Sequence, residues 1–158
     1  MFYTKEWFSN NVKLCQTGLY SLAISMLRNE EDAKDAVQET LYRAYDNLNT
    51  LKDPEKFKPW IMKILTNTAY EMLRKRKYTL NIDEYNNIPE STNSVDLSTK
   101  ITLWQAVESL NLNQRTVLIL FYYENLSIYE ISKVLRISQA AVKKRLSRGR
   151  NKLRQLLE

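Results

Sequence analysis

Phe8, Val12, Cys15, Leu19, Leu22 and Met26 recur at alternating steps of four and three, the apolar stripe of an amphipathic helix. The repeat returns twice in the residues that follow. Ala33, Val37, Thr40, Leu41, Ala44 and Leu48 line one side of a second helix predicted over about 30–48. Phe57, Ile61, Ile64, Leu65, Ala69 and Leu73 carry a third, behind Asp53-Pro54, an N-cap and first-turn pair. A chain of 158 residues with 2 Gly and 3 Pro has few places to turn sharply, which disfavours a turn-rich β-fold. The fold class is all-α.

The stripe then stops. Tyr78 to Ser98 mixes Asn, Ser, Thr, Asp and Pro without periodicity, as a linker between domains does. Beyond it, Ile101, Trp104, Val107 and Leu110 restore the helical spacing, and Asn113 is expected to cap a helix bearing Val117, Leu118 and Phe121. Ser127 and Glu130 form a capping box for a short helix ending at Leu135. The turn Arg136-Ile137-Ser138 leads to a long helix from Gln139 to Leu157. Two small helical domains, 1–77 and 99–158, are thus expected on a flexible linker, 78–98, that holds them loosely.

Several chemistries are excluded by what is missing. The chain has no His and one Cys, Cys15, so no Ser-His-Asp triad, Cys-His pair or Cys/His zinc site can be written within it. Two glycines, Gly18 and Gly149, are too few for a P-loop or a dinucleotide fingerprint. A non-enzymatic protein without cofactor or metal is the expectation. The opening residues MFYTKEWFSNN place charges where a signal peptide is apolar. The apolar run Val117 to Tyr123 is too short to span a bilayer, so a cytoplasmic location is expected.

The net charge of +6 favours a polyanionic partner, more so because the charge is clustered. Arg136 to Leu157 holds eight Lys or Arg and no acid. Ser127 to Arg148 fits a helix-turn-helix: a capped short helix, a three-residue turn and a basic second helix capped by Ser138. At about 100° per residue, Val142, Leu146, Gly149 and Leu153 share the buried side. Ala140, Lys144, Ser147 and Asn151 lie opposite, flanked by Lys143 and Arg148, with Arg150 at the margin. Small and basic side chains on that face permit close approach to a DNA groove. Arg136 stands in the turn where Gly often takes a left-handed conformation.

Two further groups stand out. Asp32, Asp35, Glu39, Arg43 and Asp46 lie within about 80° on the second helix, an acidic stripe in a basic chain and a candidate dock for a basic protein. Trp60, Lys63, Asn67, Tyr70 and Arg74 recur at steps of three and four and lead into Arg74-Lys75-Arg76-Lys77. Aromatics interleaved with cations suit single-stranded nucleic acid, although Trp60 and Tyr70 equally suit a core.

In family order, Asp32-Ala-Lys-Asp35-Ala-Val-Gln38-Glu39-Thr-Leu-Tyr-Arg43-Ala resembles region 2.2 of extracytoplasmic-function sigma factors. Phe57-Lys-Pro-Trp60 through Asn67 to Leu73-Arg-Lys-Arg is similar to their regions 2.3 and 2.4, and Leu126-Ser-Ile-Tyr-Glu-Ile131 with Val142-Lys-Lys-Arg-Leu146-Ser-Arg-Gly-Arg150 to region 4.2. The chain departs from the pattern at Pro59, Arg136 and Ala140-Ala141, where Gly-Thr is frequent. The resemblance implies that Asp32, Asp35, Gln38, Glu39 and Arg43 dock on core RNA polymerase of a bacterium. It implies that Trp60, Lys63, Asn67, Tyr70, Arg74 and Lys75 open and read the −10 element, Asn67 lying near a captured base. Ser138, Gln139, Ala140, Ala141, Lys143, Lys144, Ser147 and Arg148 would then read the −35 element of promoter DNA. An anti-sigma factor, often membrane-anchored, is the implied inhibitor. Two alternatives are a dimeric helix-turn-helix regulator that never joins polymerase and a helical adaptor that binds only proteins.

Overall fold

The computed structural model describes residues 2–79 and 102–158. Every regular element among them is helical. Helix α1 spans Lys5–Leu27, α2 Glu30–Asp46 and α3 Phe57–Thr79. In the C-terminal half, α4 spans Leu103–Ser109, α5 Leu112–Leu118, α6 Ile128–Leu135 and α7 Gln139–Leu157.

Local chemistry sets these boundaries. The Thr4 side chain accepts from the Trp7 N–H and starts α1, and Arg28, left-handed at φ 55°, closes it. Asn29 caps α2 by accepting from Asp32 N–H. Asp53 and Pro54 start a 3-10 turn over Pro54–Lys56 that runs directly into α3. The expected cap at Asn113 is corrected: Asn111 accepts from Gln114 N–H and α5 begins two residues earlier. The α6 capping box forms as expected, the Ser127 hydroxyl accepting from Glu130 N–H at 3.0 Å and Glu130 accepting from Ser127 N–H at 2.9 Å. Arg136 adopts φ 57°, at a cost of about 1 kcal/mol relative to Gly, and Ser138 caps α7. Between α5 and α6 the helix widens into a π-turn, Ile119–Tyr123. It turns Tyr122 and Tyr123 outward, and Glu124 behind it is buried.

Helices α1, α2 and α3 pack as one bundle, and α4 to α7 as a second. The two bundles are packed against each other. Helix α3 lies along α6, and α1 meets α5. A single apolar core runs through both, from Leu19, Leu22 and Met62 to Leu118, Leu120 and Ile131. The linker expected over 78–98 falls almost wholly outside the described residues, except that α3 includes Tyr78 and Thr79. The described bundles meet through their own surfaces. The Thr66 hydroxyl donates to the Val134 carbonyl at 3.4 Å, and Arg115 reaches Ser25, both contacts buried.

Candidate nucleic-acid and partner interfaces

The basic helix α7 is seated by its apolar side. Val142, Leu146 and Gly149 are buried and Leu153 is half-buried. A Cβ on Gly149 would stand 2.9 Å from Leu118 Cδ1, so glycine lets α7 press against α5. The opposite side is open. Ser138, Gln139, Ala140, Lys143, Lys144, Ser147 and Arg148 are exposed and Ala141 is half-buried, as the helical phase requires. Lys144, Arg145 and Arg148 also line a polar cleft of about 190 Å³ with Asn111, Asn113 and Gln114 at the start of α5. The margin differs from expectation at Arg150. Its Nε donates to the Tyr122 hydroxyl at 2.7 Å, and its guanidinium lies over the Phe121 and Tyr122 rings. Arg150 is engaged with the π-turn.

On α2, Asp35, Gln38 and Glu39 are exposed. Asp32 and Arg43 are half-buried and tied inward. Arg43 pairs with Glu71 of α3 at 2.9 Å and with Glu39 at 2.9 Å, and donates to Thr68 at 3.2 Å. Its hydrogen bond to Glu71, chiefly, raises its pKa above the ordinary Arg value. Arg76 pairs with Asp32 and donates to the Leu27 carbonyl. The acidic stripe is thus part surface and part brace, binding α2 to α3. Glu71, and the pairing of Arg76 with Asp32, were missed in the sequence because both residues lie on another helix.

On α3, Arg74 and Lys75 are exposed, and Trp60, Lys63, Asn67 and Tyr70 half-buried. Trp60 stacks obliquely on Phe57, with centroids 5.7 Å apart, and its Nε1 donates to Thr50. Tyr70 packs against the core beside Arg145 of α7; burial pushes its pKa up against the pull of that cation. The structure thus brings Trp60, Lys63, Asn67, Tyr70 and Arg74 onto one side of α3, with Lys75 about 100° round from Arg74, and lays part of that side against the second bundle.

No group of His, Cys, Asp or Glu among the described residues is arranged to hold a metal. No described helix is long and apolar enough to cross a membrane.

The family model for sigma-70 region 2 matches residues 12–79, and that for sigma-70 region 4 matches 100–153. The ECF RNA polymerase sigma factor SigW of Bacillus subtilis is 32% identical over 97% of this chain and 90% of its own length. The chain belongs to the ECF sigma factors. SigV of the same organism is 34% identical over 82% of this chain and 78% of that one. In three dimensions this sigma factor is similar to RpoE of Bartonella quintana, solved with the anti-sigma factor NepR. That match has a TM-score of 0.76, 26% identity, and covers 95% of this chain and 96% of the other. CnrH, solved with the cytosolic domain of CnrY, matches at TM-score 0.66 and 26% identity over 95% and 86%. The region 2 match gives the first bundle a role that a plain helix-turn-helix regulator leaves it without.

Proposed function

We propose that this ECF sigma factor joins bacterial core RNA polymerase through the exposed part of the α2 stripe and reads promoter DNA with α3 and α7. The observation that carries the reading is the open, basic face of α7, seated by Val142, Leu146 and Gly149, in a chain whose residues 12–79 also match sigma-70 region 2. Asp35, Gln38 and Glu39 form the docking contact, complementary to a basic surface. Asp32 and Arg43 position that helix from behind.

Arg74 and Lys75 meet phosphates near the −10 element while Asn67 meets a base, and Trp60 supports them from the core. Lys144 and Ser147 face base edges of the −35 element. Lys143 and Arg148 flank them over the phosphates, a division that separates specificity from affinity. The partners are core polymerase, promoter DNA and an anti-sigma factor of the kind solved with RpoE. The site of action is the cytoplasm.

The test is association of the purified full chain with core polymerase, followed by transcription from a promoter library. Selective transcripts are expected. Tight binding of the chain alone to a palindromic duplex, with no polymerase association, would replace this reading with that of a dimeric regulator.

A further inference from the structure

Gly18 stands mid-helix in α1, where glycine weakens a helix and no turn calls for it. A Cβ there would lie 2.5 Å from Glu124 Oε1 and 2.7 Å from Oε2. Glu124 belongs to the other bundle, directly after the π-turn, and is 8% exposed. Its carboxylate sits in the space that Gly18 leaves and pairs with Lys58 of α3 at 3.2 Å. Nearby, Lys56 pairs with Glu130 at 3.4 Å. All of these contacts cross between the bundles.

We infer that Gly18, Lys58 and Glu124 form an intramolecular latch that holds this sigma factor closed until it is engaged by polymerase. The inference rests on the promoter-reading function proposed above. The −10 and −35 elements lie about 25 base pairs apart, about 85 Å of duplex at ~3.4 Å per base pair. A packed chain of this length is about 40 Å across. In the closed state α3 lies along α6 with Thr66 on Val134, and Tyr70 faces Arg145 of the reading helix. The closed molecule cannot reach both elements, and part of its α3 reading side is covered. Opening must break the seam, and the latch is the seam's polar part with a built niche. A Cβ at position 18 would displace the Glu124 carboxylate from where it pairs with Lys58, and that pairing offsets the cost of burying it.

The test uses the full chain carrying Cys15→Ala, with spin labels at Lys52→Cys and Lys152→Cys, exposed positions in the two bundles. The parent should give one short, narrow distance distribution. Gly18→Leu favours the helix but fills the niche. It should raise the separated population on the order of tenfold or more, as expected for loss of a buried charged contact, and should speed association with core polymerase. Glu124→Gln keeps the shape, breaks the ion pair and should open the molecule in the same direction. It decides the matter if Gly18→Leu loses its cooperative melting. Unchanged distances in a folded Gly18→Leu, or in Glu124→Gln should the former not fold, overturn the latch. These distances are read without polymerase, so failure of the parent to bind core instead overturns the proposed function.

Discussion

Arg115 reaches across 90 residues of sequence to Ser25, its Nε donating to the carbonyl at 2.9 Å and to the hydroxyl at 3.1 Å. Its Nη1 donates to the Leu110 carbonyl at 2.6 Å. At 4% exposure this guanidinium is a buried bridge between α5 and α1. Arg115→Met keeps much of the length and removes every donor. Urea unfolding should show a loss of about 3 kcal/mol, because buried acceptors are left unpaired. A loss under about 0.5 kcal/mol would mean that the two bundles do not depend on each other.

Docking and bracing separate within the α2 stripe. Asp35→Lys with Gln38→Lys should weaken core-polymerase binding on the order of tenfold or more. Melting should stay within about 0.5 kcal/mol of the parent, as is usual at exposed positions. Asp32→Lys should lower stability as well, since the ion pair between Asp32 and Arg76 is replaced by like charges. Equal effects of all three on melting alone would remove the docking assignment.

Reading of the −35 element divides along α7. Lys144→Ala should relax preference at particular positions, each base contact discriminating by about 1–3 kcal/mol. Arg148→Ala should weaken binding alike on all sequences and lower the salt slope by about one. Promoter-variant transcription and a salt titration check both. If Lys144→Ala acts equally on every variant, the helical phase assigned to α7 is wrong. Arg150→Ala should act chiefly on stability, through Tyr122.

Acid should loosen α6 and its seam. Burial pushes the Glu130 pKa up, but the Ser127 N–H and Lys56 together outweigh it, so the net direction is down from 4.5. A depressed carboxylate contributes stability above its unfolded pKa and loses it as pH falls through the folded one. Stability should therefore decline below about pH 4.5, and Glu130→Gln should flatten that decline. An unchanged acid limb in the variant would contradict the assignment.

Much of this molecule was legible in its residues. The apolar stripes gave α1, α2 and α3, and Ser127, Glu130 and Ser138 marked the helix-turn-helix because caps are local chemistry. Arg136 took the left-handed turn without glycine. The cap at Asn111 was misplaced to Asn113 because two Asn stand two residues apart and either side chain can accept from a helix N–H. Contacts between the bundles were not readable. Gly18, Glu124 and Arg115 carried a faint signal, a glycine inside a strong stripe and charges beside an apolar run, but pairing over 90 residues leaves no periodicity. Asp32 and Arg43 share the α2 stripe by helical phase, while their inward partners Arg76 and Glu71 lie on α3 and emerge only from packing.

A sigma factor differs from any other DNA-binding chain in conferring promoter choice on polymerase. The most direct measurement is run-off transcription from a promoter library by core polymerase, with and without the full chain, parent and Asn67→Ala. The parent should direct discrete transcripts from promoters sharing a −35 and a −10 sequence. Asn67→Ala should reduce their output on the order of tenfold by weakening capture of a base. Transcription no different from that of core enzyme alone would contradict the account.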